Sequence, residues 1–393
     1  MTRPPTPATP STPVRPIARE SSGQGGALPD GAEGRALIKP CVRQQAGYTL
    51  RAPAARRKLN QNECPHDLPP ELKQAVLDRA AAAAWQRYPE FVPARLVQRL
   101  AAHYGWVPDG VVVGNGSNEL IQATLSVVLA QDETVVAPSP TFSLYRLLTG
   151  VLGGRFVPVP LGPGFEFDVD RIAETAVRER ARVIVLNSPN NPTGTALPDG
   201  AVERLLAETG ALILCDEAYQ DFGGPTAIPL LRQSSRVVVL RTFSKAMGMA
   251  GLRFGLGLAH PEVARELSKG KLPYNVNLVT LAAAEVALDH ADVFAARTRS
   301  VVETRDRFVP RLARLPGLEV VPTTANFVLI RCRARPAAEV FRRLYEEEGI
   351  LVRDVSTNAE LSECLRISIG TEDDMEAVLA ALQTILATEP EAR

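Results

Sequence analysis

The sequence predicts an α/β protein: a large domain whose mostly parallel sheet is sandwiched by helices, plus a smaller α+β domain. Two patterns predict it. Between residues 111 and 260, short apolar runs alternate with helix-length polar stretches, as strands buried on both faces alternate with the helices that cover them. After about Leu278 the texture changes to a long helix, then shorter strands interleaved with helices. A chain of 393 residues is long enough for such a pair of domains.

Charge and cysteine content narrow the setting. The 44 acidic and 44 basic residues cancel, so bulk charge points neither to nucleic acid nor to an anionic membrane. No apolar run reaches the roughly 18 residues a membrane helix needs. The five cysteines (Cys41, Cys64, Cys215, Cys332 and Cys364) are scattered without a Cys-x-x-Cys pair, which argues against a disulfide scaffold or zinc site and for a reducing cytoplasm.

Taken in order, residues 1–40 are rich in Pro, Thr, Ser and Gly and poor in large apolar residues, the composition of a disordered tail. From Tyr48 to Pro70 the chain reads as irregular, with a polar centre at 58–65. Helices are expected at 71–85 and 94–104, leaving Tyr88 on the loop between them. Strands are expected at 111–113, 134–137, 156–159, 183–186, 212–215, 237–240 and 254–258. A long helix at 281–312 follows, then strands at 318–321, 325–331, 350–353 and 365–369 and helices at 337–347 and 372–386. The domains expected are an arm and part of the small domain at 41–84, the large domain at 85–277 and the small C-terminal domain at 278–393. Chemistry belongs at the carboxyl ends of the parallel strands.

Lys245 is the centre of that chemistry. It opens a loop after an apolar strand, in the run Ser244-Lys245 to Gly251-Leu252-Arg253. Its amine can condense with an aldehyde, and Ser244 and Arg253 can hold a phosphate; together they suggest pyridoxal phosphate, with a solvated surface lysine as the alternative. Gly114-Asn-Gly-Ser-Asn-Glu119 places Ser117 and Asn118 where a helix N-terminus offers free amides to one phosphate, or else is a plain strand-to-helix turn. Glu119 spoils it as a dinucleotide fingerprint. The loop Asn187-Ser-Pro-Asn-Asn-Pro-Thr-Gly194 can hold the Asn191 amide towards a phenolate oxygen, unless its amides only satisfy the turn.

Asp216 follows a buried strand, where a carboxylate needs a cation such as a protonated pyridine nitrogen, although helix capping is the blander role. Tyr219, three residues on, can hydrogen-bond the ring's other polar side. Arg353 and Arg366 fall in or at the ends of apolar strands, where each guanidinium needs an anion, either a ligand or an ordinary salt-bridge partner.

These motifs, present together and in order over residues 48–386, resemble those of the class I/II pyridoxal-phosphate-dependent aminotransferases, and most of all the histidinol-phosphate aminotransferases. The subfamily signs are Leu59-Asn-x-Asn62-Glu63, Arg87-Tyr-Pro-Glu90, Pro140-Thr-Phe-x-x-Tyr145, Val352-Arg-Asp354 and Leu365-Arg-Ile-Ser-Ile-Gly370. The resemblance implies the transferase fold of that family, with Lys245 carrying the cofactor and Asp216 pairing with its ring nitrogen. It implies that Asn191 and Tyr219 hold the phenolic oxygen and that Phe142 stacks on the ring. Ser117, Asn118, Ser244 and Arg253 then lie in or beside the phosphate cradle. Tyr88 matches a tyrosine reaching the neighbouring subunit's cofactor phosphate, which implies a homodimer. Arg366, Arg353, Tyr48 and Asn62 fall on the substrate side. Cys64-Pro-His66 departs from the family there.

The implied reaction is transfer of an amino group between histidinol phosphate and 2-oxoglutarate, with Lys245 as cofactor anchor and acid/base. The same motifs also suit an aromatic amino acid aminotransferase, a phosphothreonine decarboxylase or, from another class, a non-catalytic pyridoxal-phosphate-binding regulator.

Overall fold

The computed structural model describes residues 31–47 and 53–387. The expected tail therefore lies outside the described residues up to position 30. Residues 31–40 are partly helical instead: α1 spans Ala32–Ala36 and α2 Pro40–Arg43. Gln45 helps to seat this stretch, its side chain lying over Gly150, so that a Cβ there would sit 2.4 Å from its Nε2.

The chain then forms β1 (Arg57–Lys58), α3 (Pro70–Ala81) and α4 (Ala94–Tyr104). Helix α3 stops at Ala81 rather than at 85, because the Trp85 indole turns back and donates to the Ala80 carbonyl at 2.8 Å. Next come β2 (Val111–Gly114), α5 (Ser117–Val128), β3 (Thr134–Ser139), α6 (Leu144–Leu152) and β4 (Arg155–Pro160). They lead to α7 (Val169–Arg178), β5 (Val183–Asn187), α8 (Ala201–Glu208), β6 (Leu212–Asp216), β7 (Val237–Thr242), β8 (Gly255–Ala259) and α9 (Pro261–Leu267).

Seven of these strands form one sheet in the order β2-β8-β7-β6-β5-β3-β4. Its strands are parallel except β8, which runs antiparallel to both β7 and β2. Two antiparallel steps restore the direction, so β2 ends at Gly114 on the same edge as β5, β6 and β7. Every residue of β2, β3, β5 and β7 is buried, which is why each reads as an unbroken apolar run rather than an alternating one.

The long helix expected at 281–312 is two helices, α10 (Leu278–Asp289) and α11 (Ala291–Leu312), separated at His290, which has φ −123° and ψ 37°. Their environments differ. The alanine-rich α10 packs on α3 and α4 in the core under the large sheet, whereas Val301, Phe308 and Leu312 of α11 join a second core. Helix α11 still gives Phe294 to the first core before it reaches the second.

That second core lies against an antiparallel sheet, to which β9 (Leu318–Val320) and β10 (Phe327–Cys332) belong. After α12 (Ala337–Glu346), the expected strand 350–353 divides at Val352 because the chain changes partner: β11 (Ile350–Leu351) pairs with β1, and β12 (Arg353–Asp354) pairs with β13 (Cys364–Ser368). The sheet order is β12-β13-β10-β9, and α13 (Glu372–Ala387) packs on α12 and α11. Tyr219 and Ala246, from loops at the carboxyl edge of the large sheet, reach into this core. The loops carrying the chemistry are thus seated between the two sheets. Among the described residues no helix is long and apolar enough to cross a membrane.

Candidate active site

A cavity of about 510 Å³ opens at the carboxyl ends of β5, β6 and β7, walled opposite by β12, β13 and residues 60–62. It gathers Ser117, Asn118, Phe142, Asn191, Asp216, Tyr219, Ser244, Lys245, Arg253, Asn62, Arg353 and Arg366, all singled out from the sequence. Tyr88 does not line it. Tyr48 lies outside the described residues.

Lys245 follows β7 and extends its amine into the cavity, where Nζ donates to the Gln61 carbonyl at 2.9 Å. Burial, aided by the Arg366 and Arg253 cations and opposed by Glu63, brings its pKa down from 10.5 to about 7. Near neutrality a large share of the amine is therefore the free base, the form that attacks a carbonyl or takes a proton.

Asp216 ends β6 and is 3% exposed. Its Oδ2 accepts from the Tyr145 hydroxyl at 2.7 Å and its Oδ1 from the Ala218 N–H at 3.1 Å. Burial raises its pKa, while those two donors and Lys245 pull it back. Asn187 ties the neighbouring strand ends together: its Nδ2 donates to the Asp216 carbonyl at 3.0 Å, and its Oδ1 accepts from the Asn191 N–H at 2.8 Å. Asn191 in turn accepts from an Arg366 Nη1 donor through its Oδ1, so Asn187 holds its backbone and Arg366 its side-chain amide. The Tyr219 hydroxyl accepts from Asn62 Nδ2 at 3.1 Å. Asn62 is itself fixed with φ 54°: its N–H donates to Ser368 Oγ at 2.8 Å and its carbonyl accepts from Asn326 Nδ2 at 3.1 Å.

The other end of the cavity suits an anion. Gly116 begins α5 with φ 80°, and a Cβ there would lie 2.4 Å from Nη2 of Arg253. The Arg253 guanidinium therefore rests on bare backbone beside the first turn of α5, and its Nη1 also donates to Ser244 Oγ at 3.0 Å. Ser117, Ser244, Arg253 and the free amides of the helix N-terminus converge there. Glu119, which breaks the dinucleotide fingerprint, accepts from the Asn115 N–H at 2.6 Å and from Asn275 Nδ2 at 2.7 Å, a structural task. An amine, a buried carboxylate, an aromatic ring at Phe142 and a phosphate cradle fit the groups of pyridoxal phosphate in turn.

On the opposite wall, Arg366 Nη2 donates to the Asn60 carbonyl at 2.7 Å. The guanidinium of half-buried Arg353 makes no hydrogen bond or ion pair with the described residues. Tyr88 is 80% exposed and stacks on Tyr274 at 4.5 Å between ring centroids.

The pattern of the family described as "Aminotransferase class I and II" matches residues 57–382. This chain belongs to that family. The aminotransferase is 36% identical to the histidinol-phosphate aminotransferase of Chlorobaculum parvum, over 89% of this chain and 98% of that one. It is 37% identical to that of Chlorobium phaeovibrioides, over 88% of this chain and 96% of the relative. Among solved structures it resembles histidinol-phosphate aminotransferase from Sinorhizobium meliloti in complex with pyridoxal-5'-phosphate, with a TM-score of 0.79 and 26% identity over 89% of this chain and 98% of that one.

The residues lining this aminotransferase's cavity that were assigned no role from the sequence include Tyr145, Asn187, Asn60 and Gln61. Asn60 and Gln61 take part through backbone carbonyls, which any residue supplies, so their identities carry no signal. Asn187 ends an apolar strand directly in register with Asp216 on the next, and that shared position at a strand end was a usable signal. Tyr145 stood inside a quoted motif, but its partner is 71 positions away.

Proposed function

We propose that this aminotransferase uses pyridoxal phosphate to transfer an amino group between histidinol phosphate and 2-oxoglutarate. The observation that carries the substrate assignment is Arg353, a cation on the cavity wall beside Arg366 with no described partner. A phosphorylated amino alcohol brings a dianion that such a fork suits, whereas an ordinary amino acid needs one cation for its carboxylate. The names of relatives at 36–37% identity support the same reading.

When bound, pyridoxal phosphate supplies an aldehyde that condenses with amines and a ring that accepts electrons released at the substrate carbon. The rest falls to this chain. Ser117, Asn118, Ser244 and Arg253 bind the phosphate, and Phe142 offers its ring to the cofactor. Asp216 presents an anion to the ring nitrogen, and Asn191 and Tyr219 serve the phenolic oxygen. Lys245 would hold the cofactor and, as a free amine at Nζ, would take up and release the proton of the substrate's amine-bearing carbon. A pKa of about 7 suits both directions of that transfer. Arg366 and Arg353 orient the substrate's polar and anionic end, with Asn62 fixing the wall beneath.

The reading includes a cytoplasmic homodimer. Tyr88, Phe91, Val92, Leu272 and Tyr274 form an exposed, largely aromatic group that a second copy would cover, bringing Tyr88 towards the partner's phosphate cradle. It also includes a division into a large cofactor-binding domain at 85–277 and a smaller domain formed by the arm and the chain from 278, with α10 lodged on the larger core.

The test is a half-reaction on purified, pyridoxal-phosphate-loaded protein. The visible cofactor band is followed as histidinol phosphate, phenylalanine or phosphothreonine is added without acceptor. Rapid loss with histidinol phosphate alone is expected. Faster loss with phenylalanine would make the enzyme an aromatic aminotransferase, carbon dioxide release from phosphothreonine a decarboxylase, and absence of the band would end the cofactor reading.

A further inference from the structure

Tyr145 has no part in the mechanism above, yet its surroundings give it one. It is wholly buried in α6, and its hydroxyl emerges at the cavity wall to donate to Asp216 Oδ2 at 2.7 Å. With the Ala218 N–H on Oδ1, the carboxylate is pinned at both oxygens by donors from different elements. Each oxygen keeps lone-pair capacity for one more donor, on the side the cavity leaves open. The charged and titratable groups around it are Tyr145 from α6, Lys245 from the loop after β7 and Cys215 from its own strand, with Tyr219 facing the Tyr145 phenol; β5 contributes the neutral Asn187. Burial and the Asp216 charge hold the Tyr145 phenol well above its ordinary pKa, so it stays a donor and does not compete for the proton.

We propose that Tyr145 is a positioning residue for the cofactor's ring nitrogen, fixing the plane of the Asp216 carboxylate and keeping it anionic. A buried carboxylate without that donor drifts towards its protonated form, which has neither the charge nor the free oxygen the ring nitrogen needs. The inference rests on the pyridoxal-phosphate reading of the site.

Tyr145→Phe keeps the ring and removes only the hydroxyl. In the loaded enzyme it is expected to lower kcat by about 10–100-fold, the loss of one hydrogen bond to a charged group, while KM for the amino donor changes by less than about threefold. The pyridoxal phosphate dissociation constant, titrated by the visible band, should rise by about tenfold, and its loss of affinity at low pH should begin at a higher pH. In a cycle with Asp216→Asn, the double variant should be no worse than Asp216→Asn alone, because both changes act through one contact. Tyr145→His, which restores a ring N–H donor, should recover part of the loss. It also gives the comparison should the phenylalanine variant not fold. Unchanged kcat and cofactor affinity in Tyr145→Phe, or losses that multiply in the double variant, would overturn the inference alone. A wild-type protein that binds no pyridoxal phosphate would overturn the functional reading and this inference with it.

Discussion

Arg353 and Arg366 stand directly opposite one another on antiparallel strands β12 and β13, and both reach the cavity. Like charges in that relation repel. Arg366 relieves its own charge on the Asn191 side-chain oxygen and the Asn60 carbonyl. Arg353 has no such outlet among the described residues, so the pair is a standing demand for an anion.

That demand predicts anion stabilisation. With the cofactor cradle filled by pyridoxal phosphate, inorganic phosphate should raise the melting temperature by mass action, by the equivalent of about 2.7 kcal/mol at a hundredfold excess over its Kd. Differential scanning calorimetry should show the shift in the wild type and not in Arg353→Ala. An equal shift in the variant would place the anion elsewhere.

The two arginines should separate in steady-state kinetics. Arg353→Ala should raise KM for histidinol phosphate by about 10–100-fold, the worth of a charge-assisted contact, and leave kcat nearly unchanged. Arg366→Ala should lower kcat as well, because Asn191 loses the donor that holds its amide in the cavity. Identical profiles for the two variants would refute separate tasks.

Lys245 should titrate far below an ordinary lysine. Its cation is the form that burial disfavours, so the amine should be mostly neutral above about pH 7, where an exposed lysine is still fully charged. The rate at which apoprotein Lys245 is labelled by an amine-directed reagent, followed by peptide mass spectrometry, should rise through a midpoint near 7. A midpoint near 10.5 would show a solvated amine.

Gly116→Ala tests the cradle. The position has φ 80°, and an added Cβ would lie 2.4 Å from the Arg253 guanidinium. That backbone, with ψ 161° in a region essentially reserved for glycine, should alone cost about 1–3 kcal/mol, read from denaturant unfolding of the apoprotein. Displacement of Arg253 should weaken pyridoxal phosphate binding beyond that loss. Wild-type affinity in a destabilised variant would show that Arg253 does not depend on the bare backbone.

Much of this was legible in the sequence because it is local. Buried parallel strands read as unbroken apolar runs, and Asp216, Asn187 and Ser244-Lys245 follow such runs directly, so their place at one sheet edge needed only the rule that active residues follow strands. What misled was equally local. Residues 281–312 have helical composition throughout, and nothing within them marks the break at His290, after which Phe294 still packs on the first core and Val301, Phe308 and Leu312 on the second.

The sequence by itself determined the strand and helix pattern, the family motifs and the candidate lysine, carboxylate and arginines, since residue type and short-range period set those. Only the tertiary structure decided which of them meet. Arg366 meets Asn60 across 306 positions, Tyr145 meets Asp216 across 71, and Arg353 finds Arg366 because β12 breaks from β11 at Val352. Contacts between segments so distant follow from how two sheets pack around one cavity, which no local pattern of residues encodes.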